Sequence, residues 1–161
     1  MDLSKLSTGD KMILGGGLAY LIFMFFPWYG ADFSEFGISR SFDSTGWDYF
    51  LGGILPLILI AVMCAHVLVS RLSDTELPEP PVPWGQVHLG AGILAAVIVI
   101  LRLLIGSDDV SGIDVGVDLD RKFGLVLAVI AAIVVAAGGV RKSREEDSAP
   151  SGGDSPGSSP F

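Results

Sequence analysis

Residues 123–140 read FGLVLAVIAAIVVAAGGV, 18 positions without a charge, with Lys122 and Arg141 directly on either side. At about 1.5 Å of rise per residue such a run nearly crosses the ~30 Å of hydrocarbon in a bilayer. Three more charge-free windows precede it, 12–31, 49–70 and 80–101, of 20, 22 and 22 residues. All 10 basic and 18 acidic residues of the 161-residue chain therefore lie outside these four windows. The expected spans are about 10–28, 50–71, 85–105 and 121–141. They should be helices, because an open strand edge leaves backbone groups unsatisfied in lipid and barrel-type alternation is absent.

Composition agrees. Half of the residues are hydrophobic, 17% are charged, and the mean hydropathy is +0.60. A chain this short cannot build a soluble core around helices that are apolar on every side. The fold class that follows is an all-α membrane protein, a four-transmembrane-helix bundle over 1–142. A small extracytoplasmic cap of loops and a disordered cytoplasmic tail at 143–161 complete it. The tail is Ser, Gly, Pro, Glu and Asp with little apolar surface to offset ordering. The bulky exit of the first window (Phe26, Pro27, Trp28, Tyr29) reads as an uncleaved helix, not a signal peptide with small residues at its cleavage site.

Basic residues near span ends stay cytoplasmic. With both termini inside, Lys5, Lys11, Arg71, Arg141, Lys142 and Arg144 are internal, and Arg40, Arg102, Arg121 and Lys122 external. Trp28, Tyr29, Trp47 and Tyr49 read as anchors at the outer headgroup level, and Trp84 at the inner one. Pro78, Pro80, Pro81 and Pro83 form a stiff connector before the third span. Pro56, following Gly52 and Gly53, predicts a kink or loosened first turn in the second.

Outside the membrane, loop 1 (about 29–49) mixes acidic residues with Phe33, Phe36, Ile38, Phe42 and Trp47, which should pack. In loop 3, residues 113–120 alternate apolar with Asp or Gly, the period of a half-buried strand. The two loops are expected to meet as a cap with a short β pairing. The aspartates of loop 3 do not match a calcium-loop pattern, and a solvated acidic loop is the reading.

Helix packing is expected on small residues, above all Gly124, Ala128, Ala132 and Ala136 in the fourth span, which let another backbone approach closely. Gly15–Gly17 in the first span and Gly92 and Ala96 in the third extend the pattern. The same stripes would also suit a homo-oligomer or a membrane partner.

Ionisable residues inside a span are functional candidates. His66 and His88 lie roughly 7.5 and 6 Å from the inner ends of consecutive spans. Facing one another, they form a candidate proton or metal pair. Arg102 should snorkel to the outer interface and clamp loop 3 through Asp118 or Asp120. The single cysteine, Cys64, excludes an intrachain disulfide. No nucleophile, acid–base pair or phosphate loop converges, so the chain reads as no enzyme and as needing no cofactor. A net charge of −8 argues against nucleic acid.

The segments STGDKMILGGGLAYLIFMFFPWYG (7–30), STGWD (44–48), PVPWGQVHLGAGILAAVIVILRLLIG (81–106) and DRKFGLVLAVIAAIVVAAGG (120–139) resemble the uncharacterised small four-span membrane proteins of actinobacteria. That resemblance implies a bacterial plasma membrane location and carries no catalytic residues. The expected function is a structural, accessory or regulatory membrane component. The alternative is a small transporter or channel subunit working through His66 and His88.

Overall fold

The computed structural model describes residues 6–35, 38–72, 82–106 and 120–148, with the backbone alone for 32–35, 38–40, 72, 146 and 147. Helix α1 (Thr8–Phe23) starts at a capping box. Asp10 N–H donates to Ser7 Oγ, and Ser7 N–H to the Asp10 carboxylate, both at 3.2 Å. It ends before Pro27, which opens strand β1 (Pro27–Glu35). β1 forms an antiparallel hairpin with β2 (Ile38–Thr45), in register from Tyr29↔Ser44 to Glu35↔Ile38. β3 (Asp120–Arg121) joins the other edge of β1 at Tyr29 and Gly30, so the sheet order is β2-β1-β3. The ends of loops 1 and 3 thus pair; residues 113–119 of the expected strand lie outside the described residues.

A 3-10 turn (Gly46–Asp48) and a π-helical turn (Phe50–Ile54) lead into α2 (Leu55–Leu72). The loosened turn has a local cause. Pro56 has no N–H to donate backwards, and Leu55 N–H reaches back five residues to the Phe50 carbonyl. A side chain on Gly53 would collide with the Gly46 carbonyl, so the turn closes only with glycine there.

α3 (Trp84–Ile105) begins after Pro83 and ends at Gly106, whose φ of 95° suits glycine. α4 (Phe123–Asp147) is the longest helix. Among the described residues, three stretches are long and apolar enough to cross a membrane: Phe50–Arg71, Trp84–Ile105 and Phe123–Glu145. α1, at 16 residues, is about 24 Å long.

The helices pack antiparallel in the order α1, α2, α3, α4, with α4 back against α1. Close contacts run through small residues. Gly9 and Gly138 bring α1 and α4 together, Gly16 lies against Ala131 and Val135, and Gly92 of α3 against Ala136. Gly124, Ala128 and Ala132 are buried and Ala136 is half-buried. Gly15 and Gly90, by contrast, face open space.

Four expectations change. The first span does not run to residue 28. The helix stops at Phe23, and the Trp28 indole N–H donates to the Phe23 carbonyl at 2.9 Å, turning the chain into β1. The tail does not begin at 143, because α4 continues to Asp147 and Ser148 Oγ closes it on the Arg144 carbonyl at 2.7 Å. Residues 149–161 lie outside the described residues. The aromatic residues are not all interfacial anchors. Trp28 and Tyr29 are fully buried and Tyr49 is half-buried, whereas Trp47 remains exposed. Their polar tips find partners within the protein, which lets the rings go inside. Phe42, expected to pack, is exposed.

Candidate functional site

One end of the helix cluster gathers the start of α1, the end of α2, the start of α3 and the last turns of α4. Asp10 lies there with no exposed surface. Its two carboxylate oxygens are held by Arg71 Nε at 2.8 Å and Lys142 Nζ at 2.7 Å. The Lys142 side chain is almost fully buried, whereas that of Arg71 is 40% exposed. Three helices are thereby tied by one carboxylate. Asp10 sits at the positive end of α1 and Arg71 in the last turn of α2, so both also complement their helix dipoles.

Next to this cluster, His66 of α2 and His88 of α3 meet with ring centroids 4.7 Å apart, edge to face. Trp84 stacks on His66 at 3.9 Å. His88 Nδ1 lies 2.7 Å from the Trp84 carbonyl. A carbonyl only accepts, so this nitrogen carries a proton. His66 Nδ1 is buried without a hydrogen-bond partner among the described residues. The sequence-expected pair is therefore brought together.

Two features weigh against a cation there. Arg71 and Lys142 outnumber Asp10 in the adjoining cluster. Among the described residues, no group of three or more His, Cys, Asp or Glu side chains is placed to hold a metal.

Arg102 occupies the opposite end and does not snorkel outward. It is buried, with its guanidinium carbon 4.1 Å from the Tyr49 ring centroid and 5.1 Å from that of Tyr29. The Tyr29 hydroxyl donates to the Arg102 carbonyl at 2.7 Å, and Ser44 Oγ lies 2.6 Å from the Tyr49 hydroxyl. The sheet thus covers this end and seats the arginine in an aromatic cage. Asp118 lies outside the described residues, and Asp120 is exposed on β3. Arg121, in the same strand, donates to the Leu104 carbonyl at 3.1 Å near the end of α3.

The Asp10 cluster is the feature sequence reasoning misses, since Arg71 and Lys142 read there only as cytoplasmic charges near span ends. The available signal was Ser7-Thr8-Gly9-Asp10, a capping-box pattern directly before an apolar run. No protein-family model, curated protein or solved structure matches the chain.

Proposed function

We propose that this chain is a multi-pass integral membrane protein of the bacterial plasma membrane, with α1 as a fourth span beside α2, α3 and α4. Both termini are cytoplasmic, the sheet is external, and the role is that of a non-enzymatic structural, accessory or regulatory component. The observation that carries this reading is an inverted distribution of side chains. Leu18 (61% exposed) on α1, Val62 on α2, Leu94 on α3 and Ile130 on α4 face outward. Asp10, His88, Arg102 and Lys142 are inside. In water that arrangement would expose a continuous apolar surface, whereas in lipid it is the low-energy one. Phe25, 64% exposed beyond the last turn of α1, extends the apolar exterior of the short helix.

The test is sidedness. In a Cys64→Ala background, Ser4→Cys, Ser41→Cys and Ser151→Cys are labelled in intact cells with a membrane-impermeant maleimide. Labelling of Ser41→Cys alone, with the other two reacting only after permeabilisation, is the expected result. Ser4→Cys and Ser41→Cys reacting on the same side would remove α1 as a span.

A second reading, a small transporter or channel subunit, has the His66–His88 contact in its favour. A path beyond the pair meets Ile60, Met63, Val67 and Val99, all buried and apolar. Proton flux in liposomes between about pH 5 and 8, the range in which imidazole titrates, should be near zero. It should be unchanged in His66→Ala/His88→Ala. Flux abolished by the double substitution would favour the transporter.

A further inference from the structure

An open recess of about 600 Å³ lies where the first turn of α1 meets the last turns of α4, lined by Thr8, Arg141, Arg144, Glu145 and Ser148. We infer that it binds a phosphate group that carries a neighbouring hydroxyl, the chemistry of a glycerol-type acidic phospholipid headgroup. The membrane as its source rests on the function proposed above; the recognition chemistry does not.

The volume falls within the ~300–1,000 Å³ of small-molecule sites. Arg141 and Arg144 are three residues apart on α4 and share one face. Their planar forks are suited to phosphate oxygens, with the Thr8 hydroxyl on the same wall, while the Ser148 hydroxyl is spent on the Arg144 carbonyl. Asp10 does not compete for these arginines, because Arg71 and Lys142 already hold both of its oxygens.

Glu145 decides the kind of anion. A carboxylate in the wall repels a bare phosphate and accepts from a donor next to it. The two arginines and one glutamate therefore fit a phosphodiester with an adjoining hydroxyl better than a simple phosphate. Depth agrees as well. On α4 the exposed apolar side chains Val126, Ile130 and Ile133 give way to exposed Arg141 and Arg144. The recess is thus at the boundary where lipid phosphates lie, and basic pockets between helix ends are suited to such headgroups.

The full chain, purified in detergent, is mixed with phosphatidylglycerol or phosphatidylcholine of the same acyl chains and examined by native mass spectrometry. Glycerol 3-phosphate and inorganic phosphate serve as soluble competitors. The wild type should retain phosphatidylglycerol at least about tenfold over phosphatidylcholine, the equivalent of one charge-assisted hydrogen bond. Arg141→Ala/Arg144→Ala should lose that preference, and Glu145→Gln should narrow the gap between glycerol 3-phosphate and inorganic phosphate as competitors.

Lipid retained against both competitors identifies a membrane lipid as the source. Glycerol 3-phosphate bound while no lipid is kept identifies a soluble phosphate and supports the same chemistry. Arg141→Lys/Arg144→Lys preserves charge and removes the forks, and it guards against an alanine variant that fails to fold. Wild-type retention by the lysine variant means diffuse attraction only and overturns the site, as does equal lipid on wild type and a folded alanine variant. A chain that stays monodisperse without detergent yet binds glycerol 3-phosphate would defeat the membrane reading and leave the recess standing.

Discussion

Asp10→Ala should destabilise the protein by about 3–5 kcal/mol, the range for removing one member of a buried ion pair. The size follows from what remains behind. Lys142 would keep its ammonium in a buried position with its 2.7 Å partner gone. Arg71 contributes less, because its side chain is 40% exposed and reaches water. The capping box of α1 loses one of its two bonds in the same step, since the Asp10 carboxylate accepts from Ser7 N–H. Unfolding in detergent micelles, followed by helical circular dichroism, measures the loss. Asp10→Ala/Lys142→Met should recover much of it by removing the stranded charge. A single substitution that costs under ~1 kcal/mol would show that water reaches this cluster freely.

Gly139→Ala and Gly90→Ala should move stability in opposite directions. A Cβ on Gly139 would come within 2.6 Å of the His88 carbonyl oxygen and 3.0 Å of its carbon, both backbone atoms of α3. Neither can rotate away, so α3 and α4 must separate, at about 1–3 kcal/mol for an overpacked methyl. Close approach is also what holds helices together in lipid, where no hydrophobic force acts between them. Gly90 sits on α3 with nothing within 4 Å of its would-be Cβ. Alanine there removes the helix penalty of glycine and should stabilise by up to ~1 kcal/mol. Paired thermal unfolding curves check the contrast, and two substitutions of equal effect would contradict the α3–α4 packing. Gly139 also backs onto His88, so its substitution should shift the fluorescence contributed by Trp84, whose carbonyl holds His88.

The helices were legible to different degrees. α3 was readable almost to its ends, because Pro83 and Gly106 punctuate a run with a single charge, Arg102. α1 was overextended because its charge-free window continues through Phe26, Trp28 and Tyr29. Phe26 is apolar enough for a span but lies in the turn before β1, and Trp28 and Tyr29 are buried in that strand. Periodicity cannot separate the two uses over so few positions. Read from its charges, the fourth span stops at Arg141, the first charged position after the apolar run. A charged side chain ends a span but not the hydrogen bonding, and Arg, Lys and Glu are good helix formers. The meeting of His66 and His88 was anticipated from equal depth on consecutive helices. The stacking of Trp84 on His66 was not, since it depends on how both helices are rotated.

Lipid compatibility is a local, additive property of side chains, and the chain alone therefore determined where apolar helices form and which small residues can line their contacts. The convergence of Asp10 with Arg71 and Lys142, 61 and 132 positions away, was decided only by the tertiary structure. So was the caging of Arg102 by Tyr29 and Tyr49 under the sheet. A buried charge is stable only beside a specific partner at hydrogen-bond distance, and that distance is set by how the helices are turned and stacked, which no single segment encodes.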